Sequence, residues 1–332
     1  MRGIYFLLLA LILAGCIYET PQSSQLSGGN FDSTDDLYSE ETSEARDLGR
    51  SELESDYPFK YIIKGVENIF DECGGCLDYV AASGIAMRRF DSEMGYPFIA
   101  SLSGALRLDN RQESVEEFFN NRIANYGFRI VASGEFAGIE TEPVDNQETY
   151  IKSILNTDIV PAVCIDRYAI YEDQLLRYNE AAFNRSHEKI FVSAVGYDAN
   201  KDIFINDPTV LGLKASYQNT GFDRFMDGWR DCGYFSAYFY PDSYAVSEEE
   251  SLRIIKDDIL ASHEDIGRDE LKKGYATRHL LYLYLRDIDM DMALRMKYSS
   301  LIFRHITEEK ENFNKGINEI IEIEREAVQE IK

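Results

Sequence analysis

An unbroken apolar run of eleven residues, Ile4 to Ala14, opens this 332-residue chain, and Arg2 is the only charge ahead of it. A membrane-spanning helix needs about 20 apolar residues, whereas the core of an export leader is about 7–15 long. The run has leader length and stands apart from whatever folds after it. From Ile17 to Asp56 the character changes: eleven acids face two bases, Arg46 and Arg50, and apolar residues recur at no fixed period. Such a stretch buries too little surface to offset its ordering entropy. It reads as a flexible, self-repelling tether over residues 17–56, with a short helix at 41–54. The folded part is thereby confined to Tyr57 onward.

That part has the means to fold. The chain is 45% hydrophobic and 13% aromatic, enough for a sizeable core in one large or two ordinary domains. Its net charge of -25 repels nucleic acid and anionic lipid, so no nucleic-acid partner is expected. The five cysteines are Cys16, Cys73, Cys76, Cys164 and Cys232. The last four can pair in an oxidising compartment, and their number does not fix the pairing.

Periodicity predicts helices at 73–90 and at 112–126, the second ended by Gly127. Strand-like runs follow at 128–132, 159–165, 190–196, 202–206 and 234–240, and 190–197 with 202–206 reads as a hairpin turning through Asp198–Lys201. Helices followed by several strands indicate an α+β domain over 57–242. After Pro241, Ser247 and Glu250 form a capping box. Helices at 268–286, 290–306 and 308–331 complete an all-helical unit over 243–332, which the short junction Asp242–Val246 should pack onto the preceding domain. The acids Glu308, Glu309, Glu311, Glu319, Glu322, Glu324 and Glu326 read as a solvated face, and His279 and His305 as surface or packed residues.

Cys73-Gly74-Gly75-Cys76 stands at the start of the first predicted helix. A thiol at a helix N-terminus feels the positive end of the dipole, which favours thiolate, while Asp71, Glu72 and Asp78 oppose it. A nearby imidazolium is needed to win. The two glycines let backbone amides approach a substrate closely. No second CxxC or close Cys/His pair supplies a metal set, and no cofactor is called for.

Two resemblances add to this. The ending Leu13-Ala14-Gly15-Cys16 resembles a lipobox, which implies diacylglyceryl transfer to the Cys16 thiol, cleavage before it, and a lipid-anchored protein on the extracytoplasmic face. The alternative is an uncleaved N-terminal anchor. Cys73-Gly74, then Val160–Asp166, then Val195-Gly196-Tyr197-Asp198, then Ile205-Asn206-Asp207-Pro208, resembles papain-like cysteine peptidases of the bacteriocin-leader-processing type. It also resembles the butirosin-biosynthesis acyltransferase group, to which Asp166-Arg167-Tyr168 with Tyr171 and Tyr178 looks closer. The resemblance covers about residues 58–240. It implies a papain-like fold, a nucleophilic Cys73, and Asp207 orienting a histidine base, acting on a peptide-like or amide substrate.

The chain departs from those families in two places. Their histidine opens the strand at the position of Ile190, and His187 lies three residues earlier. Their oxyanion-hole glutamine corresponds to Glu67, whose carboxylate repels an oxyanion; Asn68 replaces it if the register slips by one. Two readings stand beside the triad Cys73–His187–Asp207. One is a non-catalytic papain-like lipoprotein that binds a peptide or partner. The other is a thiol–disulfide redox protein using Cys73 and Cys76, although Pro161, a candidate for the facing proline of a thioredoxin-like unit, lies 85 residues beyond Cys76, too far for a compact one.

Overall fold

The computed structural model describes residues 60–64, 66, 77–92, 94–108, 111–170, 187–198, 201–208, 218–242, 244–263, 266–268, 270–309, 313–329 and 331. All belong to one unit, Glu54–Lys332. The leader with Cys16, the tether with its expected helix, and Glu67, Asn68, Cys73 and Cys76 lie outside the described residues.

The fold is a mixed α/β structure on a seven-stranded antiparallel sheet, with helices at its C-terminal end. The strands are β1 (Lys60–Ile62), β2 (Phe128–Ser133), β3 (Ala162–Asp166), β4 (Lys189–Asp198), β5 (Asp202–Asn206), β6 (Gln218–Gly221) and β7 (Ser236–Pro241). Their order is β2-β7-β3-β4-β5-β6, and β1 pairs with the far end of β4. β4 is buried from Ile190 to Tyr197, as expected of an apolar run covered on both faces. The hairpin to β5 forms where the sequence places it, with Ser193 opposite Asn206 and the Asp202 amide donating to Asp198 Oδ1 at 3.2 Å.

The β4–β5 register shifts at a bulge between Ala194 and Gly196. A Cβ at Gly196 would run into the Tyr61 carbonyl and the Ile62 Cα of β1. Gly196→Val should therefore destabilise the fold by about 2–3 kcal/mol, read as a lower urea midpoint. An unchanged midpoint would show that β1 does not hold this position.

Helix α1 (Asp78–Arg88) lies buried against β4, β3 and β7. Its small residues Ala81, Ala82, Ser83 and Ala86 allow close approach. Two hydrogen bonds fix it: Phe191 N to Asp78 Oδ2 at 2.9 Å and Ser193 Oγ to the Ala82 carbonyl at 3.0 Å. The sequence places the helix start at Cys73. The structure starts the described helix at Asp78, with Leu77 extended, and residues 73–76 lie outside the described residues. An acid such as Asp78 suits the first turn.

The other predicted helix is α3 (Arg111–Glu117), which widens over Phe118–Arg122, tightens over Ile123–Tyr126 and ends at Gly127, φ 77°. The widened turn buries Phe118, Phe119 and Arg122 together. Pattern reading does not find α2 (Tyr96–Ser101), α4 (Gln147–Asn156), α5 (Phe222–Asp231) or the edge strand β6. α2 is too short for a period to show. α4 carries a start signal in Asn146, whose side chain accepts from Thr149 N at 3.0 Å.

The C-terminal helices are α6 (Glu248–Ser262), α7 (Leu271–Leu285), α8 (Met290–Glu309) and α9 (Phe313–Gln329). Ser247 Oγ caps α6 by accepting from Glu250 N at 3.2 Å. Ile255, Ile259, Leu281 and Leu285 join the same core as the sheet residues, so the helical unit and the sheet share one interior. Two buried ionic clusters tie them further. Asp258 of α6 accepts from Arg107 Nε at 2.7 Å and Arg122 Nη2 at 2.8 Å. Glu324 of α9 accepts from Arg278 Nε at 2.8 Å, and Arg278 Nη1 donates to the Leu106 carbonyl at 2.6 Å. The solvated acidic face expected of α9 is thus corrected at Glu324, which is fully buried because Arg278 of α7 meets it.

Candidate functional site

β3 and β4 are antiparallel neighbours, so the end of one lies beside the start of the other. Asp166, the last residue of β3, pairs with Lys189, the first of β4. His187 precedes Lys189 by two residues and falls on the same side as Asp166. Its Nδ1 lies 2.8 Å from Asp166 Oδ2. The other carboxylate oxygen, Oδ1, accepts from the Tyr168 amide at 2.9 Å. Asp166 is buried, whereas the His187 side chain is 57% exposed. The Tyr168 ring packs on the imidazole with centroids 4.5 Å apart. Outside the pair, the Arg167 amide donates to the Glu188 carbonyl at 2.9 Å and extends the ladder to the strand mouth. One nitrogen of this largely exposed imidazole is therefore engaged by a buried carboxylate.

Asp207 sits elsewhere. It follows Asn206, which lies opposite Ser193, and is buried at the end of β5. That register places it about five strand residues, roughly 17 Å, from His187. The structure joins His187 to Asp166 and not to Asp207. Ile190, where the resembled families carry histidine, is a core residue at 2% exposure. The sequence held the signal for Asp166: an acid closing one apolar strand and a histidine just ahead of the next. The resemblance to papain-like peptidases instead implies Asp207.

Beside this strand mouth opens a groove of about 580 Å³, lined by Glu135, Phe136, Thr141, Lys189 and Gly233 among others. Lys189 carries one wall, two residues from His187. Beneath lies an aromatic cluster in which Phe191 meets Phe119 at 5.6 Å, Phe136 at 6.0 Å, Phe235 at 6.0 Å and Tyr79 at 6.2 Å. Asp78 anchors the start of α1 on the Phe191 amide, four residues along β4 from His187. Cys73 precedes Asp78 by five residues, a span of at most about 18 Å when extended.

Among the described residues no group of three or more His, Cys, Asp and Glu side chains is placed to hold a metal ion, and no helix is long and apolar enough to cross a membrane. Compared with known proteins, the chain matches no family model, no curated protein and no solved structure.

Proposed function

We propose that this chain is an extracytoplasmic lipoprotein, tethered to the membrane through Cys16, whose papain-like domain carries out cysteine-dependent acyl chemistry on a peptide-like or amide substrate. The observation that supports it is the oriented imidazole: the largely exposed His187 side chain is held at Nδ1 by buried Asp166, just ahead of the strand that anchors α1. In this reading Cys73 is the nucleophile, His187 the base and Asp166 the orienting carboxylate in place of Asp207. His187 Nε2 takes the Cys73 thiol proton, the thiolate attacks the substrate carbonyl carbon, and the tetrahedral species collapses as the protonated histidine returns its proton to the leaving amine. Water or a second amine then resolves the acyl-enzyme. The groove beside Lys189 offers an extended chain a place to lie.

A second reading rests on Ile190. A core residue in the expected histidine position, with Tyr168 packed on His187, favours a papain-like lipoprotein that binds a peptide without cleaving it.

The two separate by alkylation of the full chain near neutral pH. Iodoacetamide should label Cys73 faster than Cys76, and His187→Ala should slow that labelling about tenfold or more, since one pKa unit is about 1.4 kcal/mol. Labelling at the rate of an ordinary thiol, indifferent to His187, would leave the binding reading. A Cys73–Cys76 disulfide that cycles with reductant would instead support redox chemistry. Anchoring has its own check. Cys16→Ser should release the protein from the membrane fraction or block its processing; unchanged mass and fractionation would refute lipidation.

A further inference from the structure

Two cysteines that the proposed chemistry does not use lie on neighbouring elements, and one of them, Cys232, lines the groove. Cys164 lies in the middle of β3, and Cys232 caps the C-terminus of α5. Both are buried, and both are free thiols.

Their approach follows from how α5 lies along β3. Gly228 of α5 stands against the β3 backbone, where an added Cβ would come within 3.1 Å of the Asp166 carbonyl and 2.9 Å of Ala169 Cβ. Cys232 is one helical turn beyond Gly228, and Cys164 is two strand residues back from Asp166. One turn of four residues rises about 6 Å, and two strand residues span about 6.6 Å, so the contact repeats one step along. The backbone fixes the second contact as firmly as the first. Phe235 donates its amide to the Cys232 carbonyl at 3.3 Å and accepts from the Cys164 amide, through its own carbonyl, at 3.0 Å. A disulfide needs two cysteines close together on a backbone already held in place, and the hydrogen bonds that Phe235 makes to both of them argue for that arrangement here.

We infer that Cys164 and Cys232 are a built disulfide pair, closed while the chain folds in contact with a disulfide-bearing oxidant. One thiolate attacks a sulfur of the oxidant RSSR, giving a mixed disulfide and one RSH. The second thiolate attacks the mixed disulfide, forming the Cys164–Cys232 S–S bond and releasing a second RSH. Two electrons and two protons pass to the oxidant. In the folded protein the reaction is slow: burial pushes the Cys164 thiol well above its ordinary pKa, Cys232 acts in the same direction, and the attacking species is the thiolate. The pairing rests on geometry alone; that the chain meets such an oxidant in the cell rests on the export reading.

The test is to refold the denatured, reduced full chain in a mixture of reduced and oxidised glutathione, alkylate in denaturant and map peptides without reductant. The expected result is one cross-link joining the Cys164 and Cys232 peptides, about 2 Da below the sum of the reduced peptides. The closed loop of about 68 residues should raise the Tm by about 5–10 °C over the reduced protein, and Cys232→Ala should abolish that difference. Alkylation of both cysteines, or either joined to Cys73 or Cys76, overturns the pairing. A cross-link that forms in glutathione and is missing from protein recovered from cell membranes would uphold the pairing and count against export.

Discussion

Replacing Arg278 with methionine is expected to destabilise the folded protein by about 3–5 kcal/mol, the largest effect expected of a single ionic substitution among the described residues. Arg278 and Glu324 are both fully buried, and Arg278 binds the carboxylate through two nitrogens, at 2.8 Å and 3.0 Å. The same guanidinium reaches Ser262 Oγ at 2.8 Å and the Leu106 carbonyl at 2.6 Å, tying α7 to α6, α9 and the segment after α2. Methionine fills the space of the stem but leaves the Glu324 charge without its counterion. The double change Arg278→Met with Glu324→Leu removes both charges and should recover much of the loss, as buried ion pairs exchanged for apolar residues often do. Equilibrium urea unfolding of the single and double variants measures this. Equal losses in both would mean that packing, not the stranded charge, carries the effect.

The same carboxylate sets part of the acid response. Burial pushes Glu324 up, but the Arg278 charge and hydrogen bonds from His263, Arg278 and Ser299 outweigh it and hold the group at about 2, against an ordinary 4.5. A depressed folded pKa gives stability that is full above about pH 4.5 and is lost as pH falls toward 2. The difference amounts to about 3 kcal/mol. Asp258 works against it. Burial raises its pKa more than Arg122 and Arg107 lower it, so its contribution favours folding while it is protonated and is lost as pH rises through the folded value. Glu324→Gln should therefore flatten the fall of urea midpoint between pH 4.5 and 2 without abolishing all pH dependence. An unchanged slope would contradict the assignment.

The second large effect is expected at Phe191. Its truncation to alanine should cost about 3–5 kcal/mol, because the ring fills the junction between β4, α1 and the aromatic residues at the groove floor. It is 1% exposed and meets Phe119, Phe136, Phe235 and Tyr79. The loss should spread beyond stability. With the ring gone, the strand that carries both the Asp78 anchor and His187 is loosened, so proteolysis under native conditions should cut near the β4 start. Protection equal to that of the parent protein would show that the hydrogen bond from the Phe191 amide holds the site alone.

Much of the frame is visible in the sequence, because strands and long helices write their period into it. β5 at Asp202–Asn206 and the Ser247 cap are read from residues alone. The failures have physical causes. α5 carries Gly228 in its interior, which weakens a helix pattern, yet that glycine is what lets the helix lie on the β3 backbone. Glu324 reads as a surface acid because its partner is 46 residues away on another helix, and no local pattern reports a long-range counterion. His187 is legible as a candidate base, but its carboxylate is set by strand adjacency. The family resemblance implies Asp207, whereas the neighbouring strand supplies Asp166.

The most direct measurement of the proposed chemistry follows from that difference. In the full chain, the rate of Cys73 alkylation by iodoacetamide is compared among the parent protein, Asp166→Asn and Asp207→Asn across pH 5–9. Asp166→Asn removes the acceptor that holds His187 Nδ1, so labelling near neutral pH should slow by about tenfold, and its pH profile should shift toward that of an ordinary thiol. Asp207→Asn should leave both rate and profile near the parent's. If instead Asp207→Asn slows Cys73 and Asp166→Asn does not, or if neither changes it, the Cys73–His187–Asp166 assignment is wrong.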